Sequence, residues 1–84
     1  MTKYYTYMLR CNDGSLYTGY TDNIEKRLKK HNEGTASKYT RSRLPVTLAY
    51  LEEYDDKSSA MSREALIKQL SKKEKEALIT SVLQ

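Results

Sequence analysis

The segment that most restricts this chain is "YYTYMLRCNDGSLYTGYT", residues 4–21. Two runs rich in tyrosine and other strand-forming residues flank Asn-Asp-Gly, a strong hairpin signal. The length of the loop decides what faces what. A two-residue loop, Asp13 and Gly14, sets Tyr7 opposite Tyr20. A three-residue loop, Asn12 to Gly14 with Gly14 left-handed, sets Tyr7 opposite Gly19. Tyr7, Tyr17 and Gly19 then share a face, with Tyr17 diagonal to Tyr7. The second register is preferred because it gives Gly19 a purpose: bare backbone opposite a tyrosine lets a ligand approach closely.

A helix follows the hairpin. Asp22 is a good N-cap and Glu25 completes a capping box. The helix runs to about Asn32, and Gly34 is its stop. Its core-facing positions, counted i, i+3, i+4 and i+7 from Ile24, are Ile24, Arg27, Leu28 and His31. An arginine and the only histidine thus share the core stripe. The plainest explanations are that Arg27 keeps its head in water above an apolar stem and that His31 sits near a helix C-terminus, where its charge is welcome.

"GTASKYTRSRLP" reads as a polar, basic loop ended by Pro45. "VTLAYLEEY" reads as a third strand alternating Val46, Leu48 and Tyr50. "DDKSS" is a turn, "AMSREALIKQL" a second helix, and Ser71 with Glu74 caps a third, "KKEKEALITSVL". In the second helix Ala60, Glu64 and Ile67 share a stripe. A buried, unpaired carboxylate is costly. Glu64 therefore needs Arg27, a metal ion or a hydrogen-bond network, or else sits at the stripe's edge and reaches water. The expected fold class is α+β: a three-stranded antiparallel sheet flanked by three helices, order β-β-α-β-α-α, in one domain over residues 1–84, without repeat or linker.

Composition narrows the function. With 84 residues, eight tyrosines and no tryptophan or phenylalanine, the small core is built from side chains whose hydroxyls can reach a polar edge. The lone Cys11 cannot form an internal disulfide and is read as structural, which suits a reducing cytoplasm. No apolar run is long enough to span a membrane, and the N-terminus does not resemble a signal peptide. Residues 1–43 hold nine Lys/Arg against four Asp/Glu, whereas residues 44–84 hold six against seven. A basic half suits a polyanion partner, or simply solubility. An arginine and a histidine one turn apart, a misplaced glutamate and paired tyrosines suit phosphodiester hydrolysis. That reaction must neutralise phosphoryl oxygens, activate a water and stabilise a leaving oxygen.

The segments "YTYMLRC", "DGSLYTGYT", Arg27 and His31 in "NIEKRLKKHNEG", "SKYTR" with "LP", and Glu64 in "REALIKQL" together resemble the GIY-YIG nuclease superfamily, most closely its short stand-alone bacterial members. The likeness covers nearly the whole chain. It implies metal-dependent cleavage of DNA phosphodiesters; the leading reading is a small endonuclease, with branched or damaged DNA as the candidate substrate. Tyr17 would be the general base for the attacking water, or its relay. A phenol with an ordinary pKa near ~10 needs nearby positive charge for that task. Tyr7 would orient water or phosphate, Arg27 would stabilise the pentacoordinate phosphorus, and His31 would contact the scissile phosphate or assist proton transfer. Glu64 would be the single protein ligand of Mg²⁺ or Mn²⁺, and Gly19 would keep space open beside the tyrosines. The first motif keeps only its last residue in "YTY". The second reads "YTG", followed by Tyr20 where several active relatives carry lysine, which removes one phosphate-binding cation.

Lys38, Arg41 and Arg43 in the loop, with Lys26, Lys29 and Lys30 on the helix, are candidate phosphate-tracking cations, the loop trio the stronger, and Tyr39 is placed to stack on an unpaired base. Lys26 and Lys30 read as an ordinary solvated helix face. No base-reading element is expected after the nuclease domain, so specificity would come from DNA shape or a partner protein, or be low. A catalytically weak nucleic-acid-binding module, or a subunit of a DNA-processing complex, is the alternative reading.

Overall fold

In a computed structural model describing residues 2–82, β1 (Tyr4–Arg10) and β2 (Leu16–Thr21) form the hairpin in the three-residue-loop register, with Tyr7 paired to Gly19 and Leu9 to Tyr17. Gly14 has φ +85°, the left-handed conformation the loop requires. The remaining elements are α1 (Ile24–Asn32), α2 (Lys38–Arg41), β3 (Thr47–Tyr54), α3 (Lys57–Lys68) and α4 (Lys72–Val82). The sheet order is β2-β1-β3, antiparallel throughout. Residue 83, the last of the expected third helix, lies outside the described residues.

The helices depart from expectation in two places. α1 begins one residue late, capped by Asn23 rather than Asp22, and the Asn23 side chain accepts from Lys26 N at 3.1 Å. The Thr21 hydroxyl accepts from Asn23 N at 3.2 Å, which closes a turn over Asp22 ahead of the helix. Asparagine caps as well as aspartate does. The basic loop also contains a helix of its own, the single turn α2, giving four helices among the described residues rather than three. Its N-cap is Ser37, whose hydroxyl accepts from Tyr39 N at 3.1 Å. Elsewhere the expected signals act. Gly34, at φ +80°, ends α1 with bonds from its own N–H to His31 O and from Thr35 N–H to Lys30 O. Ser71 and Glu74 exchange the two bonds of a capping box.

Each face of the sheet has its own core. Tyr7, Leu9, Cys11 and Val46 pack with Ile24 and Leu28 of α1 on one side. Met8 and Tyr50 pack with Ile67 of α3 and Ile79 of α4 on the other. β3 serves both faces because the register with β1 shifts between Met8 and Leu9, leaving Ala49 as an extra residue. The expected alternation of Val46, Leu48 and Tyr50 on one face is therefore broken. Val46 and Tyr50 are buried in opposite cores and Leu48 is exposed.

Candidate active site

α1 is tied to the sheet by Asn32. Its side-chain amide accepts from Val46 N at 2.8 Å and donates to Val46 O at 3.0 Å, standing in for a paired strand residue. This anchor, with Ile24 and Leu28 in the core, fixes the rotation of α1. His31 then points inward and is 1% exposed.

A buried imidazole needs partners for both nitrogens. His31 Nε2 is 3.0 Å from the Tyr7 hydroxyl, and Nδ1 is 2.9 Å from the Thr40 hydroxyl. Thr40 is itself fully buried and donates to Ser37 O at 3.4 Å. The consistent assignment has Tyr7 O–H donating to Nε2 and Nδ1–H donating to Thr40. Burial, and then the Arg27 charge, lowers the His31 pKa and keeps the ring neutral. Burial drives the Tyr7 phenol well above its ordinary value, with Tyr17 and Glu64 adding to the rise and Arg27 opposing it. Tyr7 is thus a neutral phenol throughout the physiological range. Tyr17 packs against this pair, its ring centroid 5.1 Å from His31 and 6.5 Å from Tyr7.

Beside these rings lies a cavity of about 500 Å³ lined by Tyr7, Tyr17, Gly19, Arg27 and Glu64. It draws on both layers of helix: Arg27 comes from α1 and Glu64 from α3. β2 is an edge strand, so groups from opposite faces of the sheet can meet beside it. Arg27 is half-buried, and among the described residues it has no ion-pair partner. Glu64 is largely buried and pairs with Lys68 one turn on, at 3.4 Å, rather than with Arg27. Both residues keep charge directed to the cavity instead of cancelling one another.

α3 is fixed firmly enough to aim Glu64. Ala60 and Ile67 are fully buried, and the Thr6 hydroxyl donates to Ala60 O at 2.8 Å. Arg63 grips the Glu52 carboxylate of β3 with bonds of 2.9 and 3.1 Å. Tyr50 and Tyr54 also donate to Glu52. Burial pushes the Glu52 pKa upward, but the bonds from Arg63, Tyr50 and Tyr54 outweigh it and hold the group ionised below its ordinary range.

Several expected residues occupy other places. His31 does not line the cavity, so any effect on a phosphate there passes through Tyr7. The space over Gly19 is filled by protein: a Cβ there would meet the Tyr7 hydroxyl oxygen at 2.6 Å. Glycine is required for the phenol to lie across the strand, rather than to admit a ligand. Arg43 is held by Asp13 at 3.0 Å and by Tyr39 O at 2.8 Å, and its guanidinium covers the Tyr39 ring at 3.9 Å. Tyr39 in turn stacks with Tyr17, centroids 6.1 Å apart. These two residues brace the cavity wall, and the ring of Tyr39 is not free for a base. Lys38 and Arg41 are exposed and enter no ion pair among the described residues.

Two participants were missed. Thr40 sits in a single helical turn without periodicity, and its one signal is its place three residues after the N-cap Ser37. Lys57, the first residue of α3, lines the cavity. It lies two turns before Glu64, an i, i+7 relation that puts both on one helix face. Lys57 supplies a cation in the cavity that Tyr20 does not.

Among the described residues no three His, Cys, Asp or Glu side chains gather to form a closed metal site. The donors present are Glu64, with Asp22 also on the cavity wall. That set fits a hard divalent cation completed by water and substrate phosphate, since Mg²⁺ is commonly held by one or two carboxylates.

The profile of the GIY-YIG catalytic domain matches residues 3–77. The chain is 57% identical over 77 residues to a UPF0213 protein of Streptococcus sanguinis, covering 92% of this chain and 88% of that one. It is 52% identical over 75 residues to a UPF0213 protein of Halobacterium salinarum, covering 89% and 97%. Two solution NMR structures are similar. One, a UPF0213 protein of Bacillus halodurans, has a TM-score of 0.61 at 44% identity, covering 93% of this chain and 83% of that chain. The other, a protein of E. faecalis, has a TM-score of 0.65 at 41% identity, covering 100% and 91%. Matched by this profile over residues 3–77 and by relatives along nearly its whole length, the chain belongs to the GIY-YIG nuclease family.

Proposed function

We propose that this protein is a metal-dependent endonuclease that hydrolyses DNA phosphodiester bonds, with branched or damaged DNA as its substrate. The observation that carries this reading is Arg27: a half-buried guanidinium without a carboxylate partner among the described residues, in one cavity with Glu64 and two phenols. An unpaired guanidinium in a polar cavity is a site for a phosphate-type anion.

The geometry supports the following division of roles. Arg27 holds a non-bridging oxygen of the scissile phosphate and offsets the charge that grows there. Tyr7 donates its hydroxyl hydrogen bond to His31 Nε2, so its oxygen lone pairs are left to accept from the attacking water and fix its direction. The raised pKa of Tyr7 argues against it as a base; Tyr17, the residue the family likeness offers, acts as relay, its oxygen accepting the water's proton as its own hydroxyl proton passes to solvent. The water oxygen bonds to phosphorus, the phosphorus–alkoxide bond breaks, and the leaving oxygen is reprotonated from solvent. Glu64, with Asp22 nearby, would hold a divalent cation, which supplies Lewis-acid stabilisation of the phosphate and the leaving oxygen. The test is nicking of a panel of branched and single-stranded DNAs with Mg²⁺ or Mn²⁺. Glu64→Ala and Arg27→Ala are expected to abolish it. Wild-type protein that shifts these DNAs in a gel yet never cuts them would replace the enzyme with a binding module.

A further inference from the structure

The basic surface continues past the cavity. A second cleft of about 230 Å³ adjoins it, and Arg27 and Asp22 line both. The cleft follows α1 from its N-cap Asn23 to Thr35, which the turn at Gly34 folds back against Lys30. Lys26 and Lys30 line the wall between these ends. They are one helical turn apart, a rise of about 6 Å. Three cations, Lys26, Arg27 and Lys30, thus face one carboxylate, Asp22. Among the described residues none of the three cations is in an ion pair.

We infer that this cleft is a second backbone-phosphate subsite. A strand whose scissile phosphate is held by Arg27 continues along α1, and its neighbouring phosphates lie against Lys26 and Lys30. The ligand is a polynucleotide strand rather than an isolated diester. This deepens the nuclease reading and rests on it. Lys26 and Lys30 are exposed, as the solvated-face reading expects, and the inference adds a phosphate role to that face. Arg43 is committed to Asp13 and Tyr39, whereas the α1 lysines line a cleft continuous with the cavity.

The test is fluorescence anisotropy of a labelled single-stranded oligonucleotide over a salt series, with EDTA present so that nothing turns over. Lys26→Ala/Lys30→Ala is expected to weaken binding about tenfold and to lower the slope of log K against log salt by about 1.4, the value for two lost phosphate contacts on a single strand. Lys72→Ala/Lys73→Ala removes the same charge from α4 and is expected to change neither. Equal losses in both pairs, an unchanged slope in the α1 pair, or no binding by the wild type would each overturn the subsite. Nicking is scored separately. A wild type that never nicks, with the slope lost only in the α1 pair, retires the nuclease and keeps the subsite. Nicking with an unchanged slope in the α1 pair does the reverse.

Discussion

The Tyr7 hydroxyl lies 3.0 Å from His31 Nε2, and both side chains are at most 2% exposed. A wall of the candidate active site is therefore also the centre of the hydrophobic core. Tyr7→Phe leaves Nε2 without a partner, and an unsatisfied buried group costs about 1–3 kcal/mol. The urea midpoint should fall accordingly, and nicking should fall by one to two orders of magnitude if Tyr7 orients the water. His31→Ala should cost more, about 2–5 kcal/mol, because it adds a cavity to the orphaned Tyr7 hydroxyl. A His31→Ala protein as stable as wild type would refute the network.

The same ring predicts an acid sensitivity. The folded His31 pKa lies below its unfolded value of 6.5. As pH falls through 6.5 the unfolded chain takes up a proton that the folded chain refuses, so stability declines with falling pH. Urea melts between pH 7.5 and 5 should show this decline, and His31→Asn should flatten it. The Glu52 contribution is lost lower, as pH falls through 4.5 and then the depressed folded value. Arg63→Ala should weaken that second dependence.

Gly19→Ala tests the close approach. The added Cβ would lie 2.6 Å from the Tyr7 hydroxyl oxygen and 2.8 Å from Cζ. Tyr7 cannot swing aside without breaking its bond to His31. Overpacking of this kind costs about 1–3 kcal/mol. Thermal melts should show the loss, and NMR shifts of the Tyr7 and His31 rings should move together.

Arg27→Lys separates charge from shape. A lysine keeps the cation but not the planar fork that matches two phosphate oxygens. Nicking should drop by one to two orders of magnitude, whereas Arg27→Ala should abolish it. EDTA should stop wild-type nicking, and Mg²⁺ or Mn²⁺ should restore it. Full activity of Arg27→Lys would mean that the fork makes no specific contact.

The parts legible in sequence are those written in local chemistry. Asn-Asp-Gly set the hairpin register, and Ser71 with Glu74 set the start of α4. The stripe of Ile24, Arg27, Leu28 and His31 does turn toward the core, with His31 buried and Arg27 half-buried. What escaped was set by tertiary geometry. The extra residue Ala49 in β3 carries no marker, yet it moves Val46 and Tyr50 to opposite faces. α2 is too short to show a period, so Thr40 stayed hidden. Arg43 and Tyr39 looked like surface groups because their partners, Asp13 and Tyr17, are distant in the chain. Lys57 looked like a helix-start lysine because only the packing of α3 beside β2 brings it to the cavity.

The Tyr7–His31–Thr40 chain has a consequence for descendants of this protein. Losing any of the three would damage folding as well as chemistry, so a lineage that abandoned cutting would still be held to keep them. Arg27 and Glu64 carry no such obligation, since neither fills a fully closed part of the interior. In telling an active member from a retired one, those two charges are the residues to inspect first.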